Sequence, residues 1–175
     1  AAIVKATAVP VEAHLMVSKP EEYVQPLADA GVRYITVHAE STLHLSRLLH
    51  SIKKTGVGVG LSLNPATPVA SVRDVIHLVD LLQIMTVDPG FAGQAFLERS
   101  LERVAEAREL LDENHRSETI LQVDGSINPT TIPQVVMAGA DSLVLGSSSL
   151  FRVPSDHYSA QISDLRKVAD VRITS

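Results

Sequence analysis

Six short apolar runs, each followed by a stretch of helical spacing or of polar turn residues leading into one, constrain this chain more than any other feature of its sequence. The runs cover residues 11–17, 34–37, 57–63, 81–87, 119–123 and 142–145. Runs of that length read as strands, and a helix between successive strands makes them parallel, because only a long crossover returns the chain to the same end of a sheet. Residues 20–30 read as a helix closed by Gly31, and residues 43–55 as one closed by Gly56, with Leu45, Leu48, Leu49 and Ile52 on a single face. Thr67 followed by Pro68 predicts a capped helix running to about residue 79. Residues 97–111 and 130–138 continue the pattern, Tyr158, Ile162, Leu165 and Ala169 mark a last amphipathic helix, and residues 1–6 read as the end of a helix leading into the first strand. No linker or low-complexity tract interrupts the series, so residues 1–175 are expected to form one α/β domain.

Composition narrows the classes of partner. With 45% hydrophobic residues over 175 positions, the chain can bury a substantial core. Its formal charge of −5 and its dispersed Lys and Arg argue against a nucleic-acid surface, so an anionic ligand has to be held locally by backbone amides. There is no cysteine, which removes disulfides and thiolate metal sites. No apolar run approaches the roughly 20 residues of a membrane span. The expectation is a soluble, cytoplasmic protein that forms homo-oligomers and has neither nucleic-acid nor membrane partners.

In parallel α/β folds ligands sit beyond the carboxyl ends of the strands, so those ends are where chemistry is sought. Three late ones share a character: Asp88-Pro89-Gly90-Phe91-Ala92-Gly93, Asp124-Gly125-Ser126 and Gly146-Ser147-Ser148. Glycine there leaves backbone N–H groups unobstructed, and the segment after Gly146 can open a short extra helix facing an anion. Each glycine alone is also an ordinary turn residue, and Asp-Gly is a common turn dipeptide. Three such ends side by side describe one ligand rim.

Six strands do not close a (β/α)8 barrel, which needs eight and typically about 250 residues. A six-stranded doubly wound sheet would suit the count but would usually bring a Gly-rich turn after its first strand, and none is present.

His14-Leu15-Met16-Val17, Val37-His38-Ala39-Glu40, Leu63-Asn64-Pro65-Ala66-Thr67-Pro68, Met85-Thr86-Val87-Asp88-Pro89-Gly90-Phe91-Ala92-Gly93-Gln94, Val123-Asp124-Gly125 and Gly146-Ser147 occur in the order found in ribulose-phosphate 3-epimerases. The chain resembles that family from about residue 4 to about residue 168. The resemblance implies a TIM barrel of the ribulose-phosphate-binding type whose first strand, first helix and second strand, carrying a His-x-Asp motif, would precede Ala1. It implies C3 epimerisation of a ketose phosphate, with D-ribulose 5-phosphate and D-xylulose 5-phosphate as the pair. Such a reaction removes a proton beside a ketone on one face and returns one on the other, through an enediolate, with two carboxyl groups and an electrophile. One divalent metal (Zn, Mn, Fe or Co) would supply the electrophile, with no nicotinamide or flavin.

By the same resemblance Asp124 is the catalytic carboxylate and a metal ligand, and His14 is a metal ligand in contact with substrate. Gly90, Phe91, Ala92, Gly93, Gly125, Ser126, Gly146 and Ser147 would bind substrate and its phosphate, and Met16 and Met85 would line the pocket. His14 could equally be a hydrogen-bonded core histidine, and methionines are common core filler. His38 and Glu40 read as capping or metal-supporting residues rather than a second acid–base pair. Asp88 reads as a loop-shaping residue, and Asn64 as either a ligand contact or the cap of its own turn. Ala92 and Ser126 stand where the family more often has glycine, a variation similar to the allulose-6-phosphate 3-epimerase branch, which acts on a sugar one carbon longer. Taken without a His-x-Asp segment, the chain holds one catalytic carboxylate and half a metal site, which would make it a phosphosugar-binding module.

Overall fold

Alternate positions along the strands carry different chemistry, and the sheet sorts them onto opposite faces. Ile35 and Val37, Val59, Leu61 and Leu63, Leu82 and Ile84, and Leu121 and Val123 are all fully buried and belong to one apolar core with the surrounding helices. Each such side chain contributes about 1.5–3 kcal/mol by leaving water. The intervening positions include Glu12, His14, Thr36, His38, Ser62, Gln83, Gln122 and Asp124, which put polar groups on the other face beside Gly60, Leu81, Met85 and Ile120.

The computed structural model describes residues 1–90 and 93–170. Helix α1 (Ala2–Ala6) leads into β1 (Glu12–Leu15), followed by α2 (Val24–Ala30), β2 (Tyr34–His38), α3 (Leu45–Lys54) and β3 (Gly58–Leu63). Then come β4 (Leu81–Met85), α4 (Ser100–Glu113), β5 (Ile120–Asp124), α5 (Ile132–Met137), β6 (Ser142–Val144) and α6 (Tyr158–Ala169). The six strands form one parallel sheet in the order β1-β2-β3-β4-β5-β6.

The sheet is curled. Four strand spacings separate β1 from β5, about 19 Å if the sheet were flat. Yet Gln122 Nε2 on β5 donates to Glu12 Oε2 on β1 at 2.9 Å, so the polar face closes on itself as the inside of a partial barrel. Close strand approach inside it needs a small residue: a Cβ on Gly60 would lie 2.1 Å from Thr36 Oγ1. The expected α/β barrel architecture is present as six of its strands.

Two helices differ from the sequence expectation. Residues 20–30 divide into a 3₁₀ turn (Pro20–Glu22) and α2, because Pro26 has no N–H and its ring would strike the carbonyl four residues back. Pro26 is therefore accommodated only in the first turn of a helix that starts at Val24. The segment after Pro68 is a 3₁₀ helix (Val69–Leu78), and Thr67 does not cap it; Pro68 precedes it in extended conformation. Val69, Val72, Val75 and Leu78 recur every third residue, which matches three residues per turn, and Val69, Val72 and Leu78 are buried. Among the described residues no helix is long and apolar enough to cross a membrane.

Candidate active site

Asp124 is the last residue of β5 and His14 lies near the end of β1, and both point into the barrel. His14 Nδ1 stands 3.5 Å from Asp124 Oδ2, with both side chains largely buried. On its other side, His14 Nε2 is 2.8 Å from His38 Nε2, one nitrogen donating to the other, with the two rings 17° from parallel. His38 Nδ1 is in turn 3.6 Å from Glu40 Oε2, longer than a hydrogen bond but within ion-pairing range.

Glu40 is held from several sides. Burial works to raise its pKa, but the neighbouring His38 ring, the Thr67 hydroxyl and the backbone N–H groups of Glu40 and Asn64 outweigh it, and the carboxyl is lowered from 4.5 to about 2. The Asn64 N–H donates to Glu40 Oε1 at 3.0 Å, and Thr67 Oγ1 donates to the same oxygen.

Beneath His14 a second set of side chains crosses the interior. Ser142 Oγ donates to Gln122 Oε1 at 2.8 Å, and Gln122 Nε2 donates to Gln83 Oε1 at 2.8 Å. This fixes which end of the Gln83 amide faces up: its Nε2 lies 3.3 Å from each ring nitrogen of His14 and 3.2 Å from Ser62 Oγ. Gln83, Gln122, Glu12 and Thr36 were not singled out from the sequence. Their signal there was a polar residue set between apolar neighbours within each strand, legible only once the sheet is known to curl.

Above these residues a cavity of about 340 Å³ opens at the strand ends. Asp124, Met16, Met85, Gly90, Gly93, Gly125, Ser126, Gly146 and Ser147 all line it, together with Val87, Asp88, Pro89, Gln94, Val144 and Ser148. The structure thus brings these nine sequence candidates to one cavity, with His14 against its Asp124 wall. Phe91 and Ala92 lie outside the described residues. Met85 is buried and Met16 half exposed at the mouth. Asp88 accepts at its carbonyl from the Gln94 side chain within its own loop, and it also faces the cavity.

The glycines of the rim are not equivalent. Gly125 has φ +125°, and a Cβ there would come within 2.6 Å of the Val87 side chain. Gly90 and Gly93 also have positive φ. Gly146 has neither constraint: its φ is outside the left-handed region and a Cβ would meet nothing within 4 Å. Among the described residues no packing demands glycine there, and Gly146 lines the cavity. Ser126 adopts φ +53°, a conformation unfavourable for a residue with a Cβ. Asn128 Nδ2 (2.8 Å) and Thr131 Oγ1 (3.2 Å) both donate to its carbonyl and hold it there. The expected extra helix after Gly146 is a single 3₁₀ turn, Leu150–Arg152.

A smaller cavity of about 260 Å³ adjoins the first across Met16 and Pro89, with His38, Glu40, Ser41 and Asn64 in its wall. Asn64 Oδ1 is buried and has no partner among the described residues, so the side chain does not cap its own turn; the Asn64 carbonyl does, accepting from Thr67 N at 3.0 Å.

Among the described residues no three His, Cys, Asp or Glu side chains are grouped to hold a metal ion, while the His14 nitrogen and Asp124 oxygen lie at a separation that one shared cation spans.

The ribulose-phosphate 3-epimerase from Bacillus subtilis is 41% identical over 142 residues, covering 81% of this chain and 65% of that protein. The enzyme of the same name from Treponema pallidum is 42% identical over 142 residues, with the same two coverages of 81% and 65%. The chain therefore spans about 65% of the length of these curated relatives. Among solved structures, a 3-hexulose-6-phosphate synthase superposes with a TM-score of 0.67 over 95% of this chain and 77% of that one, at 22% identity, a likeness of fold. The family model for the ribulose-phosphate 3-epimerase family matches residues 1–151, and this chain belongs to that family.

Proposed function

We propose that this protein epimerises C3 of a ketose phosphate, interconverting D-ribulose 5-phosphate and D-xylulose 5-phosphate. The observation that carries the reading is the position of Asp124: a carboxylate at a strand end, 3.5 Å from an imidazole nitrogen, in the wall of a cavity that Gly125, Ser126, Gly146 and Ser147 also line.

The chemistry follows from what those residues offer. Bound with C3 over Asp124, the substrate presents its C3 proton to Asp124 Oδ, which accepts it as the C3 carbon flattens into an enediolate. Return of a proton to the opposite face, from a second carboxyl group there, inverts the centre. The donor pair of His14 and Asp124 fits a divalent cation of the Zn, Mn, Fe or Co kind. When bound, that cation would supply the electrophile for charge developing on the ketone oxygen. Gln83 holds the His14 ring in place from below, and the buried Met85 wall keeps water from one side of the reacting carbon.

The phosphate is assigned to the rim. Gly125, Ser126, Gly146 and Ser147 present backbone N–H groups and two hydroxyls at neighbouring strand ends, and Gly146 is open to an approaching oxyanion. Small-molecule sugar phosphate is thus the partner the cavity suits. Ser126 supports a second reading, a six-carbon allulose 6-phosphate substrate with the same reaction. Assaying the full-length protein, with a divalent metal, on D-ribulose 5-phosphate and D-allulose 6-phosphate side by side decides between them. The five-carbon reading requires the higher kcat/KM on ribulose 5-phosphate; turnover of neither ketose leaves a phosphosugar-binding protein.

A further inference from the structure

Arg108 and Arg116 are half-buried, each beside a carboxylate, Asp141 and Asp80 respectively. Arg103, half-buried on α4, differs: among the described residues no carboxylate pairs with it, and its buried Nη1 has no partner. Burial pushes its pKa below the usual guanidinium value, although Glu106 and Glu40 attract the charge; Arg99 repels it. Its side chain makes one hydrogen bond among the described residues, from Nη2 to the Thr67 carbonyl at 2.8 Å. A charge drawn out of water for one neutral acceptor adds little to stability, so its use lies in what that acceptor belongs to.

Thr67 closes the turn of residues 64–67, its N–H donating to the Asn64 carbonyl at 3.0 Å. That turn carries two donors to Glu40: the Asn64 N–H, 3.0 Å from Oε1, and the Thr67 hydroxyl on the same oxygen. Glu40 faces His38, and His38 touches His14. Arg103 reaches the turn from a firm base, because Val104, Ala107, Leu110 and Leu111 bury α4 in the core. Helix and turn both line a cavity of about 690 Å³, and the bond from Arg103 to Thr67 ties one to the other.

We propose that Arg103 is a positioning residue: by tying the turn of residues 64–67 to α4 it keeps two donors on Glu40, and through Glu40 and His38 it steadies His14. Its hold on Glu40 stands on this geometry, and its effect on turnover rests on the epimerase reading above. Methionine at this position keeps much of the bulk, removes the charge and the bond, and leaves the Thr67 carbonyl beside a cavity that water can enter. Exchanging an unpaired, partly buried charge for an apolar side chain is commonly neutral or stabilising. A positioning role therefore shows as lost function at undiminished stability.

The test uses full-length, ¹⁵N-labelled Arg103→Met, Arg103→Lys, Glu40→Gln and the double variant Glu40→Gln/Arg103→Met. Arg103→Met is expected to keep or raise the unfolding midpoint, while amide hydrogen exchange at Asn64 quickens about 10-fold, as for the loss of one hydrogen bond to a charged group. Exchange at Leu121, whose N–H donates to the Asp141 carboxylate near the start of β5, stays at the wild-type rate. On D-ribulose 5-phosphate with a divalent metal, kcat falls about 10–100-fold and KM changes little, since the phosphate rim is untouched. Arg103→Lys, whose ammonium can also donate to the Thr67 carbonyl, recovers part of the loss. The double variant turns over no more slowly than Glu40→Gln alone. Faster exchange at Asn64 and Leu121 together with a lowered midpoint overturns the proposal. Wild-type exchange at Asn64, an unchanged kcat, or a double variant slower than Glu40→Gln by the full Arg103→Met factor overturns it as well. Wild type that turns over neither D-ribulose 5-phosphate nor D-allulose 6-phosphate overturns the epimerase reading instead, and faster exchange confined to Asn64 in Arg103→Met still upholds the hold on Glu40.

Discussion

His14 Nδ1 and Asp124 Oδ2 lie 3.5 Å apart although one belongs to the first strand of the sheet and the other to the fifth. Only the curl of the sheet brings them together, and the same curl passes hydrogen bonds from Glu12 through Gln122 and Gln83 to the underside of His14. Replacing Gln83 by Leu keeps its bulk, removes these bonds and leaves the Gln122 amide N–H and the Ser62 hydroxyl each short of a partner. A buried polar group left in that state costs about 1–3 kcal/mol. Denaturant unfolding of Gln83→Leu should show a loss in that range, together with a lower kcat as His14 loses its support.

Gly125 and Gly146 separate two reasons for a glycine. Gly125→Ala must strain a backbone at φ +125° and push against Val87, so it is expected to lower stability by about 1–3 kcal/mol. Gly146→Ala meets no such obstacle and should leave the unfolding midpoint unchanged or slightly raised, since it reduces the entropy of the unfolded chain. It should instead raise KM for the sugar phosphate, because the methyl group enters the cavity. Parallel melts and steady-state kinetics on the two variants check both statements.

Ser126 stands in the left-handed region at φ +53°. A residue with a Cβ pays about 1–2 kcal/mol there, and glycine returns about 0.5–1 kcal/mol of that to unfolded-chain entropy. Ser126→Gly is therefore expected to stabilise the fold by roughly 0.5–1 kcal/mol, read as a higher denaturant midpoint at unchanged slope.

Glu40 links stability to pH. Its folded pKa of about 2 lies below the ordinary 4.5, so between those values the unfolded chain binds more protons than the folded one. Its contribution is fully present above about pH 4.5 and fades as the pH falls toward 2. Glu40→Gln should be less stable than wild type at pH 7, and the gap should narrow across that window in melts recorded from pH 7 to pH 2.

Much of this fold was legible in the sequence because strand and helix periods are local. Strands β2 to β5 fall in short apolar runs, and the helices that follow β2 and β4 show helical spacing, so the succession of strand and helix announced a parallel sheet. The glycine-rich ends around Gly90, Gly125 and Gly146, and Asp124 among them, were equally visible, since a strand end is a local pattern. What stayed hidden depends on distance through space. Gln83, Gln122 and Glu12 look unremarkable along the chain and become a network only inside a curled sheet. His38 lay beside Glu40 in sequence, but its contact with His14 required the register of β1 against β2. The helix expected after Thr67 became 3₁₀ because the three-residue recurrence of Val69, Val72, Val75 and Leu78 outweighed the capping signal.

The most direct test of the central claim is exchange at C3 of D-ribulose 5-phosphate. Full-length protein and its Asp124→Asn variant are incubated with the sugar and a divalent metal in D₂O, and deuterium at C3 and D-xylulose 5-phosphate are both followed. A general base of this kind is worth about 10²–10⁴-fold in rate. The account predicts that wild type incorporates deuterium and forms the xylulose, and that Asp124→Asn, folded as wild type, loses both by at least about 10²-fold. An Asp124→Asn protein that exchanges and epimerises at the wild-type rate would contradict it.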